Sequence, residues 1–345
     1  MLMEVILEHP PRVSVVIPIK GRTQLFEVTV RSLLGQTYPH WEAVVVDDGS
    51  TANEFARLTE ITGVDARIRL LPNAGPRPGA CACRNAGFAA STGQYVVFLD
   101  SDDALAETCL ARRVEVMERN PGLGFAVFPM WIFHQVPGDS QFLWNTFTEE
   151  DDLDRFLRND SPWNTAGAIW RRASLARTGL WDERARSMQD WEFHVRALTL
   201  RLNYLKVQEP DSFWRAPTPC GSIGSSAGSP RNIVNRVRLL TKATAGLRGQ
   251  NLLTAQRRRL LATQFFRHAF RLQQRRAWAR RIWGIGQRER IISRFEFHAI
   301  LWCEFAITFA ARLGRRFEQW LYPDLRRSPQ YGMHRFVAPK NSSPI

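Results

Sequence analysis

The chain is poorest in acid where it is richest in base. Residues 231–345 hold 24 Lys and Arg against 5 Asp and Glu, whereas residues 1–230 hold 23 against 28. The formal net charge of +14 therefore arises in the last third alone. Such asymmetry implies a neutral-to-acidic catalytic body with a basic region that meets an anionic surface. Cysteine is scarce: five residues, at 81, 83, 109, 220 and 303, form an odd and scattered set. That excludes a disulfide framework and points to a reducing, cytoplasmic setting. Cys81 and Cys83 lack a second ligand pair nearby, so no zinc site is expected. There is no basic segment followed by an apolar stretch at the start, and no signal peptide is expected. No apolar run reaches the about 18 residues of a membrane span. Neither a G-x-G-x-x-G nor a P-loop sequence occurs, which argues against a plain dinucleotide-binding dehydrogenase. No nucleic-acid module accompanies the basic charge, and no nucleic-acid partner is expected.

What the chain does have centres on residues 95–103. Tyr95-Val96-Val97-Phe98-Leu99 reads as a short buried strand that ends in Asp100, Asp102 and Asp103. In open α/β sheets ligands gather beyond the carboxyl ends of strands. Clustered carboxylates repel unless something positive lies between them, and a divalent cation bridging to phosphate relieves that repulsion. The plainer alternative is a strand, a turn and a helix near Ala104 capped by Asp103, which accounts for one aspartate and not for three.

Two further strands precede this one. Val13–Ile17 stops at Pro18 and is followed by the polar loop Lys20-Gly21-Arg22-Thr23. Phe26, Val30, Leu33 and Leu34 then recur at helical spacing up to Gly35. Residues 42–46 run into Asp47-Asp48-Gly49-Ser50-Thr51, where Thr51 and Glu54 form a capping box. A third strand is expected near Ile68–Leu71, and Arg84-Asn85-Ala86-Gly87 falls in a short helical stretch. Strands alternating with helices imply a mostly parallel α/β sheet of the nucleotide-binding type, with three polar loops on one edge. A helix is expected from about Ala104 to Glu118, and a strand over 124–130. Trp191, Val195, Leu198 and Leu202 define one face of a later helix, with Asp190 at its start.

These segments resemble those of the family 2 glycosyltransferases of GT-A fold. The resemblance rests on Val-Ser-Val-Val-Ile-Pro (13–18), Val-Asp-Asp-Gly-Ser-Thr (46–51), Arg-Asn-Ala-Gly (84–87), Phe-Leu-Asp-Ser-Asp-Asp (98–103) and Gln-Asp-Trp-Glu (189–192), and it runs from about Arg12 to Arg215. It implies inverting transfer of a sugar from a nucleotide-sugar, usually a UDP-sugar, to a glycan or glycolipid hydroxyl. On that pattern Pro18, Lys20 and Asp48 contact the base and uridine, with Asp47 a structural neighbour. Arg84 contacts the nucleotide or diphosphate, Asp100 lies near the ribose, Asp102 coordinates Mn²⁺ or Mg²⁺, and Asp190 is the general base. Two roles are open at Asp190, helix cap and base, and they are compatible. Trp163, Asn164 and Trp191 are candidates for lining the acceptor pocket, with core packing as the alternative for each Trp. His194 reads as structural.

Three features depart from the family. Pro18-Ile19-Lys20-Gly21 replaces the usual Pro-x-Tyr-Asn, Gln189 replaces the Glu that often precedes the base, and the loop after Arg215 lacks a histidine many relatives carry. The last departure keeps a second reading open, a non-catalytic nucleotide-sugar-binding scaffold in a glycan-assembly complex. Residues 1–230 are thus expected to form the glycosyltransferase domain and 231–345 a basic, aromatic-rich helical extension. Residues 216–230 read as a lid or linker. The extension either packs on the body or binds an anionic membrane surface, for which residues 297–311 are the candidate interfacial stretch.

Overall fold

Val13–Ile19 (β1), Trp41–Asp47 (β2) and Tyr95–Phe98 (β4) are buried along their whole length, as expected of strands covered on both faces of a parallel sheet. The structure, a computed structural model, describes residues 12–216, 229–271, 276–293 and His298. With Ile68–Pro72 (β3), these strands run parallel in the order β3-β2-β1-β4. Ala168–Arg171 (β8) then adds antiparallel to β4, followed by Phe125–Val127 (β6) and Tyr204–Lys206 (β9), giving seven strands. β1, β2 and β4 therefore end side by side, and the loops at 20–22, 48–50 and 100–103 open on one edge. β1 extends through Pro18, which sits opposite Val46, to Ile19, rather than stopping at the proline.

Thr23–Leu34 (α1) and Ala52–Thr62 (α2) follow β1 and β2, and both bonds of the Thr51/Glu54 capping box form. Ala80–Ala90 (α3) lies close against the sheet because Gly87 faces it: a Cβ there would stand 2.5 Å from Val16 Cγ1. Arg84, one helical turn earlier, is thereby held near the end of β4.

The segment after Asp103 corrects the sequence reading. Ala104–Leu105 (β5) is a strand, and the helix (α4) begins only at Cys109 and ends at Arg119. Asp103 caps nothing. β5 pairs with Ser212–Arg215 (β10), which pairs with Met130–Phe133 (β7), in a second, three-stranded sheet. The stretch expected as one strand over 124–130 thus divides at Phe128, between β6 in one sheet and β7 in the other. A fully buried fork joins α4 to this sheet: Arg113 donates to Asp211 through Nε and Nη2, each at 2.7 Å.

Asp152–Leu157 (α5), Arg172–Thr178 (α6) and Gln189–Thr199 (α7) share with α3 the buried cluster on one side of the main sheet, and α1, α2 and α4 share the cluster on the other. The described part of the basic third forms Pro230–Gly249 (α8), Ala255–Arg271 (α9) and Arg276–Arg288 (α10). Ile233, Leu240, Leu261, Phe265 and Trp283 belong to one buried cluster with Trp170, Trp191 and Phe193. These helices complete the core of the body; Arg236 is buried with them and Arg257 pairs with Asp151 and Asp154, whereas Arg248, Arg259, Arg280, Arg281, Arg288 and Arg290 are exposed. Residues 217–228 of the expected lid, and 297–311 apart from His298, lie outside the described residues, as does the loop position of the missing histidine.

Candidate active site

The loop after β1 is tight. Gly21 and Arg22 both take left-handed backbone angles, with φ of 59° and 51°. A Cβ on Gly21 would fall 2.7 Å from Glu54 Oε1, and its N–H donates to Ser50 Oγ at 2.7 Å. Pro18 is buried and Lys20 is exposed at this edge. After β2, Asp47 accepts from the N–H groups of Gly49 (3.2 Å) and Ser50 (3.1 Å) and from the Ser50 hydroxyl, which closes the turn. Asp48 Oδ1 accepts from the Gly79 N–H at 2.8 Å and from Asn73 Nδ2 at 3.1 Å, so one of its oxygens braces the 73–79 loop.

The three aspartates after β4 have different partners. Asp100 accepts from Arg84 Nη2 at 2.6 Å. Asp102 faces Arg22 Nη1 at 3.4 Å. Asp103 is buried, and its Oδ1 accepts the backbone N–H of Arg215 at 2.9 Å, pinning β10 beside the site. Burial, followed by the charge of Asp100, raises the pKa of Asp102 above the ordinary 3.8. Burial and then Asp102 and Asp100 raise that of Asp103 well above it.

Asp190 occupies the first turn of α7, whose N-cap is Met188 in a left-handed conformation without a side-chain cap. It stands at the second position of the helix rather than at the N-cap. Burial raises its pKa above 3.8, against the pull of the Trp191 N–H and the Arg84 charge. A helix N-terminus alone would lower it, so desolvation outweighs the helix end here. Arg84 links this helix to the aspartates: its Nη1 donates to Gln189 Oε1 at 3.1 Å while Nη2 holds Asp100. Its guanidinium lies 4.5 Å from the centre of the Trp181 ring. Asp100, Asp102, Arg84 and Asp190 are therefore gathered around one edge of the sheet.

The acceptor candidates are placed elsewhere. Trp163 and Trp191 are each only 2% exposed and sit in the core; Trp191 Nε1 donates to the Phe156 carbonyl at 2.6 Å. Both take the core-packing alternative left open for each Trp. Asn164 is also buried, its Oδ1 accepting from the Gly167 N–H at 3.2 Å. His194 lies between the Trp163 and Trp170 rings, and burial pushes its pKa down to about 3, so it is neutral.

Sequence reading passed over the groups that hold the site from outside. Asn235 of α8 accepts from the Arg186 N–H at 2.9 Å and donates to the Arg184 carbonyl at 2.6 Å. Arg238 and Lys242 of α8 both reach Asp182, at 3.0 and 2.9 Å. Together they grip residues 182–186, immediately before the turn that presents Asp190. Nothing in the local sequence of a basic helix signals such contacts.

A divalent cation fits the donor set in one way. Among the described residues no three His, Cys, Asp or Glu side chains converge as a closed metal cage. Asp102 and Asp100 offer hard carboxylate oxygens at a partly exposed strand end, and both are partly satisfied by arginine. Mg²⁺-type ions are commonly held by one or two carboxylates plus substrate phosphates and water. These residues suit a cation that arrives with a diphosphate, not a resident structural ion.

The α/β sheet, with its aspartate-rich strand end and a carboxylate on a facing helix, has the fold type of the GT-A glycosyltransferases. Residues 14–180, just under half of the chain, match the model of the family described as Glycosyl transferase family 2. Among curated proteins the chain is similar to the putative teichuronic acid biosynthesis glycosyltransferase TuaG of Bacillus subtilis, at 35% identity over 130 residues, covering 37% of this chain and 51% of that protein. It is also similar to the UDP-Glc:alpha-D-GlcNAc-diphosphoundecaprenol beta-1,3-glucosyltransferase WfgD of Escherichia coli, at 33% identity over 31% of this chain and 42% of that protein. The matches thus span about half the length of these relatives or less. In fold, it resembles S. aureus TarS 1-349 in complex with UDP-GlcNAc, with a TM-score of 0.61 at 15% identity over 95% of this chain and 97% of that one. It likewise resembles the mannosyltransferase PcManGT from Pyrobaculum calidifontis in complex with GDP-Man and Mn²⁺, with a TM-score of 0.53 at 17% identity over 93% and 88%.

Proposed function

We propose that the chain is an inverting glycosyltransferase that moves a sugar from a nucleotide-sugar, a UDP-sugar by preference, to a hydroxyl of a glycan or glycolipid. The observation that carries this reading is the Arg84 junction, which ties Asp100 at the end of β4 to Gln189 beside Asp190. Donor-side carboxylates and a candidate base are thereby held in one rigid unit. Asp190 takes the proton of the acceptor hydroxyl; the oxygen attacks the anomeric carbon as its bond to the diphosphate breaks, and the nucleoside diphosphate leaves. The raised pKa of Asp190 makes it a stronger base than an ordinary surface carboxylate once ionised. Asp102, with Asp100, would hold Mn²⁺ or Mg²⁺, which when bound neutralises charge on the leaving diphosphate. Lys20, Pro18 and the free side of Asp48 border the space for the base and ribose, and Arg84 adds a fixed positive charge. UDP is the preferred nucleotide because TarS binds UDP-GlcNAc and WfgD is named for a UDP-Glc donor and a diphospholipid acceptor.

We place the protein in the cytoplasm, peripheral to an anionic membrane through the outer arginines of α8–α10. No described helix is long and apolar enough to cross a membrane. Exposed Arg248, Arg259, Arg280, Arg281, Arg288 and Arg290 face solvent with Glu289 as the lone acid in 229–293. The test is release of UDP from a panel of UDP-sugars with undecaprenyl-linked glycan acceptors, in Mn²⁺, in Mg²⁺ and in chelator. Metal-dependent release from one donor, lost in Asp190→Asn while UDP binding survives, is the expected result. Transfer by Asp190→Asn at the wild-type rate would remove the base assignment.

A further inference from the structure

The two arginine–aspartate pairs at the end of β4 are built differently. Arg84 is 5% exposed and meets Asp100 at 2.6 Å, with Gln189 and the Trp181 ring fixing the guanidinium. That pair is permanent. Arg22 is 41% exposed, Asp102 is 32% exposed, and their closest approach is 3.4 Å, long for a charge-assisted bond. A contact of that kind is weak and exchangeable. The backbone at this position, the N-cap of α1, is also unusual. Arg22 is a non-glycine residue with φ 51°, following Gly21 at 59°, and this turn directs a side chain across the site to a partner 80 residues away. Non-glycine residues in this region carry a steric cost that the surroundings must sustain, and such strain gathers at ligand sites.

We propose that Arg22 is a positioning residue that serves as an internal counter-cation, occupying Asp102 until a diphosphate brings the divalent cation. The inference rests on the reading of Asp102 as a metal ligand. Beside Asp100 and the buried Asp103, an unscreened Asp102 would attract a free divalent ion to an empty site. With Arg22 in place, a lone cation must displace a guanidinium and then sit beside it. A nucleoside diphosphate offers that guanidinium another anion, so the two ligands become positively coupled, and by linkage each strengthens the other. Arg84 cannot play this part, since leaving Asp100 would strand its charge in a buried pocket.

The experiment is calorimetric titration of the full chain with MnCl₂ alone and with MnCl₂ at saturating UDP. The variants are Arg22→Gly, Arg22→Lys and Asp102→Asn. Arg22→Gly keeps the left-handed turn at no steric cost and removes the charge, and a thermal melt checks its fold. It should bind Mn²⁺ alone about fivefold more tightly than wild type, and the gain from adding UDP should shrink by the same factor. Arg22→Lys, which keeps the charge, should behave like wild type. Equal or weaker Mn²⁺ binding by Arg22→Gly, including silence from both proteins without UDP, overturns the proposal. The Asp102→Asn arm separates two failures. If it loses Mn²⁺ while Arg22→Gly is unchanged, the metal site stands and only the counter-cation role falls. If it binds Mn²⁺ like wild type, the ligand reading itself is wrong and the role of Arg22 falls with it.

Discussion

Arg84 and Asp100 lie 2.6 Å apart but in unlike surroundings: the guanidinium is 5% exposed and the carboxylate 39%. The consequences of breaking the pair are therefore unequal. Removing Arg84 leaves Asp100 able to hydrate, so Arg84→Met should cost only about 1–2 kcal/mol. Removing the charge of Asp100 leaves a buried guanidinium with Gln189, a ring face and the charge of Asp190 in place of its direct ion pair, so Asp100→Asn should cost about 2–4 kcal/mol. Urea unfolding of the two variants checks the order; a larger loss for Arg84→Met would show that Asp100 is less hydrated than its exposure indicates. Both should weaken UDP binding.

Asp190 presents a trade between stability and chemistry. Its pKa in the folded protein is raised above 3.8, chiefly by burial. A carboxyl whose folded pKa lies above its unfolded value favours the fold below the unfolded value, and that benefit is lost as pH rises through the folded one. At neutral pH the ionised Asp190 thus weighs against folding. Asp190→Asn should melt at a higher temperature than wild type at pH 7, and the difference should shrink as pH falls toward 4. Transfer needs the ionised form, so kcat should fall with decreasing pH along a limb that lies above the ordinary carboxylate range. An acid limb at or below 3.8 would contradict the burial argument.

Much of this site is legible in short-range pattern, and the rest is not for identifiable reasons. The β-branched runs at 13–17 and 42–46, the Thr51/Glu54 box and the Gly35 helix end each encode their structure within a few residues, and each forms. Ala104–Leu105 is two residues long and is a strand only because β10, more than 100 positions later, pairs with it. No local signal competes with that distant partner, which is why Asp103 reads as a cap. Trp163 and Trp191 illustrate a different limit: sugar-stacking and core packing use the same side chains, and only burial tells them apart. Asp48 reads as a ligand contact, and one of its oxygens is occupied by Gly79 and Asn73.

The grip of α8 on residues 182–186 predicts an effect at a distance from the chemistry. Arg238 and Lys242 help hold the Asp182 carboxyl well below its usual range against the opposing effect of its burial. A depressed carboxyl contributes stability above its unfolded pKa and loses it as pH falls through the folded value. Asn235→Ala removes two bonds to the backbone of this segment. Amide hydrogen exchange over 182–192 should then quicken by about tenfold, with β1, β2 and β4 unaffected. Uniform loss of protection across the sheet would mean that Asn235 supports the whole fold and not this segment.

Membrane attachment is best tested by charge and not by truncation, because of where the apolar side chains of the basic third lie. Ile233, Leu240, Leu261, Phe265 and Trp283 are 8% exposed or less and share a cluster with Trp170, Trp191 and Phe193. Deleting residues 231–345 would open that cluster to water, and each large side chain uncovered costs about 1.5–3 kcal/mol. The shortened chain should aggregate, whatever its relation to lipid. Arg280, Arg281 and Arg288 are exposed and lie on one side of α10, opposite the buried Ile282 and Trp283. Reversing these three to Glu should leave the melting temperature within a few degrees of wild type, as expected for surface positions. Each basic residue near an anionic bilayer is worth about 1 kcal/mol, so sedimentation with phosphatidylglycerol vesicles should fall by at least about a hundredfold in partition coefficient. Unchanged sedimentation of a folded triple variant would exclude this face of α10 as the attachment surface.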